Sequence, residues 1–211
     1  MRKISKTGIL DKKSTIIEPS VKLSDDVLVF PGAIIRGASV IESGAVIYPG
    51  SVIIDSKIKK ETIIKSSFIE KSEIGANNEI GPYANVRAGT ITASNVKIGS
   101  FCETKKAVIG AKTKISHLSY VGDAIIGERT NVGCGVVFAN FNGKIKSQTK
   151  VGDHCFVGSN VNLIAPLEIA DNAYICAGTT VTEDVPAEAF VIGRSRAQVK
   201  ECRAKVYWEG D

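Results

Sequence analysis

Histidine is nearly missing from this chain. The two present, His117 and His154, are too few for a three-imidazole zinc centre of the kind some solenoid enzymes carry. The five cysteines, at positions 102, 134, 155, 176 and 202, contain no CxxC pair and no metal-ligand spacing, so they read as reduced packing residues and no metal is expected. Aromatic residues make up 6% of the chain and do not interleave with its basic residues, which argues against a nucleic-acid partner. No apolar run approaches the length of a membrane span. The opening MRKISKTGILDKKS is polar and charged and lacks the apolar stretch of a signal peptide. A cytoplasmic protein without a membrane partner is the expectation. The net charge of +5 is spread along the chain and points, weakly, to anionic small molecules.

What is present is a period of six. Aliphatic residues recur at Ile17, Leu23, Val29, Ile35, Ile41 and Ile47, at Ile74, Ile80 and Val86, and at Val151, Val157, Leu163, Ile169, Ile175 and Val181. Six matches neither a helical stripe nor an alternating strand, so the unit must be one that stacks. The residue after the aliphatic is often Gly, as in Ile98-Gly99 and Ile109-Gly110, and reads as a tight corner needing unusual dihedrals. The fifth position is small or branched, as in Thr90, Cys102, Thr113 and Thr130. Three hexads would make one triangular coil of eighteen residues. About nine coils at about 4.8 Å each give a prism roughly 45 Å long. The predicted organisation is an N-terminal extension (1–16), an all-β solenoid (17–187) and a tail (188–211). In the tail, Val199, Cys202 and Val206 suit a short amphipathic helix capping the stack. The pattern resembles the left-handed parallel β-helix of the hexapeptide-repeat acyltransferases, and the hand comes from that resemblance alone.

Three segments break the period. Residues 53–73 slip phase, which reads as structural adjustment. TASNVK (92–97) reads as a short insertion. FANFNGKIKSQTK (138–150) is the longest break, a polar loop expected to reach an adjacent subunit. An eighteen-residue ruler stacks Arg87 on Lys105, like charges that one anion between them would reconcile. The same ruler aligns Phe141, Ser159 and Ala177, with Arg194 following seventeen later, as a file suited to a slender ligand with a phosphorylated end. Solvated basic residues and ordinary small corner residues are the bland alternatives.

The segments GPYANVRAGT (81–90), FCETKKAVIG (101–110), KISHLSYVGDAIIGERTNVGCG (114–135), ANFNGKIKSQT (139–149) and VGSNVNLIAP (157–166) closely resemble the acetyltransferase half of the bacterial bifunctional uridyltransferase/glucosamine-1-phosphate acetyltransferases. That resemblance implies acetyl transfer from acetyl-CoA to the amine of glucosamine 1-phosphate, feeding cell-wall precursor synthesis, in a homotrimer with active sites between subunits. It implies His117 as general base and Glu103 as the carboxylate near it. It further implies Arg87 and Lys105 on the sugar phosphate, and Tyr120 and Asn131 on the sugar. Cys134, Asn140, Phe141, Lys146, Ser159, Ala177 and Arg194 would line the acetyl-CoA site. The family usually has Tyr where Phe141 stands and commonly Ala where Cys134 stands. The family's Gly-rich nucleotide loop has no counterpart in the opening residues, so uridylyl transfer is not expected.

The chemistry asks for one proton acceptor, since an amine attacks a thioester only through its lone pair. His117, third in its hexad, should project at a corner. Glu103 would hold its tautomer, and a backbone N–H near Gly133-Cys134-Gly135 would meet the developing oxyanion. His154 reads as a surface residue. The rival readings are an acetyltransferase for another amino sugar or nucleotide sugar, and a non-catalytic solenoid module that binds no acetyl-CoA.

Overall fold

Aliphatic side chains every six residues can share one interior only if the chain bends after each short strand. The computed structural model, which describes residues 8–11, 13–193 and 196–208, has this architecture. Strands of two to four residues stack in parallel into a β-helix with three flat faces, and two longer strands, Glu103–Ile109 and Tyr120–Ile126, bend across two of them. The first face is a ladder of eleven strands running from Gly8–Ile9 to Phe190–Val191. The second runs from Ile16–Ile17 to Thr180–Val181 and the third from Lys22–Leu23 to Leu167–Ile169. The opening strand, Gly8–Ile9, pairs with Leu28–Val29, inside the segment expected as an extension. Ile9 stands eight residues before Ile17, which hid it from a search for sixes.

Most coils send one aliphatic side chain inward from each face. Ile35, Ile41 and Ile47 are wholly buried, as are Ile53, Ile58, Ile64, Ile69, Ile74 and Ile80. Burial of each is worth about 1.5–3 kcal/mol. The small fifth-position residues share the interior and knit the coils. Thr113 Oγ1 donates to the Gly127 carbonyl at 2.6 Å and accepts from the Thr130 amide at 3.1 Å, and Thr130 Oγ1 accepts from Cys155 in turn. All five cysteines are free thiols; Cys102, Cys155 and Cys176 are buried, and Cys134 and Cys202 are exposed.

The glycines after the aliphatics serve a purpose other than the one predicted. A Cβ on Gly99 would lie 2.0 Å from the Ser116 carbonyl oxygen of the next coil, so the position needs close approach, not a special φ. The left-handed corner falls two residues later, at Phe101 (φ 58), Lys112 (φ 62) and Arg129 (φ 53) after Gly99, Gly110 and Gly127. Residues 92–97 are no insertion either. Thr92 takes the inward place of an aliphatic, 4% exposed, with its hydroxyl bonded to the Gly75 amide and the Asn78 side chain. The slip at 53–73 is a set of sixteen-residue coils, as Val52 pairs with Phe68 and Lys57 with Glu73.

The tail does not cap the stack. Residues 196–208 are all exposed, and the helix is a single 3₁₀ stretch, Arg203–Tyr207, with nothing buried. Among the described residues no helix is long and apolar enough to cross a membrane.

Gly99→Ala should lower unfolding stability by about 1–3 kcal/mol through overpacking. Lys112→Gly should be nearly neutral, because left-handed strain relieved at φ 62 offsets the entropy a glycine adds to the unfolded chain. Urea denaturation of the two variants reads this directly; equal losses would return the glycines to a dihedral role.

Candidate active site

His117 ends the strand Lys114–His117 and stands one residue before the left-handed corner at Leu118 (φ 42), exposed as predicted. Ser100 is its register partner on one side. On the other, the pairing of Ile115 with Val132 carries His117 onto Cys134. The pairings of Val132 with Val157 and of Val157 with Ile175 then carry Cys134 onto Ser159 and Ser159 onto Ala177. Ser100, His117, Cys134, Ser159 and Ala177 therefore form one outward column, about 4.8 Å per step. Ser159 and Ala177 stack as the ruler predicted, but Cys134 occupies the place assigned to Phe141. The coil holding Phe141 is stretched to twenty-five residues, Asn131 pairing with Phe156, so a ruler of eighteen fails across it.

The second face carries the charges. Asn85 pairs with Glu103 and Val86 with Thr104, which stacks Arg87 on Lys105 as expected. Arg87 Nη1 donates to Glu103 Oε1 at 2.7 Å, and Asn85 Nδ2 donates to Glu103 Oε2 at 3.4 Å. The bond to Glu103 raises the guanidinium's pKa above its usual value. Glu103 was expected to orient His117, but among the described residues no hydrogen bond joins them. The cause is register: Glu103 stacks beneath Tyr120, at the start of the second face, whereas His117 stacks on Ser100 at the end of the first. Tyr120 does not close that gap but turns toward the cations. Its ring lies along the strand over Gly122, where an added Cβ would meet the phenol oxygen at 2.4 Å, and Gly122 stacks on Lys105.

The long insertion is a small hairpin. Phe141 and Lys146 form an antiparallel bridge, the Asn142 side chain accepts from the amides of Lys144 and Ile145 at 3.0 Å, and Ser147 donates to the Asn140 carbonyl at 2.8 Å. Phe141 is exposed and Asn140 nearly buried. Lys146, assigned from sequence to the acetyl-CoA site, closes the hairpin opposite Phe141, and its charge acts on Lys105. Repulsion from Lys146 first, and from Arg87 next, pushes Lys105 below the ordinary lysine range. Asn131 lies on the first face between Lys114 and Phe156, three residues before Cys134 and apart from the cations. Arg194 lies outside the described residues.

Within one chain, then, the imidazole column and the cation cluster occupy the two edges of one prism face, roughly 15 Å apart along the backbone. Two sequence models match this surface and its surroundings: GlmU-like, C-terminal hexapeptide over residues 47–132, and bacterial transferase hexapeptide (six repeats) over 148–183. The bifunctional protein GlmU of Acetivibrio thermocellus is 48% identical over 193 residues, 92% of this chain and 42% of that protein. The Clostridium tetani GlmU is 47% identical over the same shares. Residues 47–132 belong to the GlmU-like hexapeptide-repeat family. The chain spans about two fifths of the length of the curated relatives it matches. A solved Arabidopsis UDP-N-acetylglucosamine acyltransferase shares the fold, with a TM-score of 0.65 and 19% identity over 84% of this chain and 69% of that one.

In this GlmU-like chain, sequence reasoning missed two things. One is that the charge of Lys146 joins those of Arg87 and Lys105, which no spacing could show because the hairpin's path is set by its own turn. The other is Asp123, whose carboxylate accepts from Asn140 Nδ2 at 2.5 Å; it stood within the motif HLSYVGD without a role.

With its folded pKa below the unfolded one, Lys105 subtracts from stability at neutral pH, and that loss fades as pH rises through the lowered value. Lys105→Met should therefore leave the anion-free protein at least as stable as the wild type. Added inorganic phosphate should raise the melting temperature of the wild type more than that of the variant. An equal rise in both would remove the anion cluster.

Proposed function

We propose that this chain is an acetyl-CoA-dependent acetyltransferase acting on the amine of glucosamine 1-phosphate, as the family resemblance implies. The observation that carries the reading is the single column of His117, Cys134, Ser159 and Ala177 beside a cluster of three cations. Small side chains above an exposed imidazole leave a narrow track along the prism, and a pantetheine arm is the cosubstrate piece that fits one. The thioester would lie at Cys134, one coil step from His117. Arg87, Lys105 and Lys146 would hold the phosphate across the same face, with Glu103 fixing the Arg87 guanidinium and Tyr120 turned toward the cations.

His117 takes a proton from the substrate ammonium, freeing the lone pair that attacks the thioester carbon. A C–N bond forms, the carbonyl oxygen becomes an oxyanion, the nitrogen releases its second proton to solvent, and the collapse breaks the C–S bond, with the imidazolium proton passing to the departing thiolate. The oxyanion needs a donor. Gly133 and Gly135 already donate to Val157 and Leu118, whereas among the described residues the Cys134 amide has no acceptor, so that amide is the donor we assign. The product amide would serve UDP-N-acetylglucosamine synthesis. Lys146 at the hairpin's base would stay with its own chain's cations, whereas Phe141, Asn131 and the tail from Arg194 to Trp208 would complete a neighbour's site in a trimer.

Calorimetry with acetyl-CoA, followed by a thiol-release assay with glucosamine 1-phosphate against other amino sugars, tests the whole. His117→Ala should lose about a hundredfold or more in kcat while binding acetyl-CoA as the wild type does; unchanged turnover would sink the assignment. Sedimentation should give three chains per particle, and a monomer with full activity would refute shared sites.

A further inference from the structure

Among the described residues, one hydrogen bond ties the hairpin 140–147, which separates this chain from a plain solenoid, to the prism beneath it. Asp123 is a corner residue, left-handed at φ 48, in the strand Tyr120–Ile126. It directly follows Gly122, which stacks on Lys105. Its carboxylate accepts from the side-chain amide of Asn140, which is 7% exposed. Asn140 in turn accepts, through its backbone carbonyl, the Ser147 amide that closes the hairpin's base. Everything between, from Phe141 to Lys146, is exposed and turned back on itself by Asn142 and the Phe141 to Lys146 bridge. Lys146, at the hairpin's base through its bridge to Phe141, nonetheless repels the ammonium of Lys105. Two like charges do not seek each other; something must hold the hairpin against that repulsion while no anion is bound. A hydrogen bond to an ionised acceptor in a nearly buried setting is the strongest restraint available there.

We propose that Asp123 is a positioning residue: its bond to Asn140 sets the hairpin so that Lys146 completes the anion site with Lys105 and Arg87. Asp123 touches no reacting atom. The proposal rests on the acetyltransferase reading for its kinetic consequence, though not for its structural one. It gives Asn140 the part of the hairpin's anchor, beside the cosubstrate contact that the resemblance implies.

Asp123→Ala should raise the KM for glucosamine 1-phosphate about tenfold, the loss of one charged contact to an anion, with kcat changed less than about threefold. Lys146→Ala should do the same, and the double variant should be no worse than either, because both remove one contact. Asn140→Asp sets two carboxylates face to face and should raise KM similarly. Adding Asp123→Asn to it restores an amide and a carboxylate in reversed order and should bring KM back to within about threefold of the wild type. A merely structural role would lower the active fraction with KM unchanged, and the swapped pair would rescue no binding. A second readout needs no activity: trypsin should cut after Lys144 or Lys146 about tenfold faster in Asp123→Ala, and the swapped pair should restore resistance. An unchanged KM in Asp123→Ala overturns the proposal even where cleavage accelerates. If the wild type does not acetylate the sugar phosphate, the functional reading fails alone, and wild-type cleavage rates in Asp123→Ala would then overturn the positioning role.

Discussion

The interaction on which the rest of the molecule depends is the parallel pairing of each coil with the next. Backbone bonds from one coil to the carbonyls of the following one run the length of the described stack, for instance Leu28 to Ala45, Val46 to Thr62, Ile63 to Asn78 and Glu79 to Val96. Side chains in a strand alternate between the two sides, so a slip of one residue would turn Ile64 outward and Ile63 inward along with every neighbour. The register is therefore held tightly even though coil length is not. Coils of sixteen, seventeen, eighteen and twenty-five residues coexist, and each change is absorbed at a corner or in a loop, where no inward side chain is displaced.

From that constraint the site follows almost without further choice. Once Val132 must sit on Ile115 and Val157 on Val132, the residues two places on, His117, Cys134 and Ser159, have to form a column. Once Val86 sits on Thr104, Arg87 has to meet Lys105. The repulsion this creates is partly offset inside the chain by Glu103 on Arg87 and is left open at Lys105 and Lys146. Among the described residues no ion pair compensates Lys105 or Lys146, and the anion site proposed above would supply the charge that the fold withholds.

The legible part of the sequence was whatever the period carried. The inward aliphatics, the exposed corner of His117 and the stacking of Arg87 on Lys105 were all readable, because each depends on counting within one or two coils. Counting failed where chemistry replaced the expected residue type: Thr92, an inward hydroxyl with its own hydrogen bonds, made an ordinary hexad look like an insertion. It failed again across residues 138–150, where a ruler of eighteen put Phe141 in the column that Cys134 fills. The glycines were read correctly as necessary and incorrectly as needed for unusual dihedrals, since a period marks where glycine occurs and not whether φ or the next coil's carbonyl demands it. The tail's spacing of apolar residues was real, but three and four apart over so few residues gave only the 3₁₀ stretch Arg203–Tyr207.

The two halves of the site are therefore held by different means. The column containing His117 is set by many backbone bonds and a continuous aliphatic core, so its geometry varies only with the whole stack. The hairpin containing Lys146 has no buried apolar residue between Phe141 and Lys146 and sits where like charges push it outward, so its position rests on local turns and on Asp123 with Asn140. A repeat fold makes the first kind of precision cheaply, because every coil is a copy of the one before. The second kind must be added residue by residue at a break in the repeat, and this is why the break at 138–150 and the corner at Asp123 belong to one device.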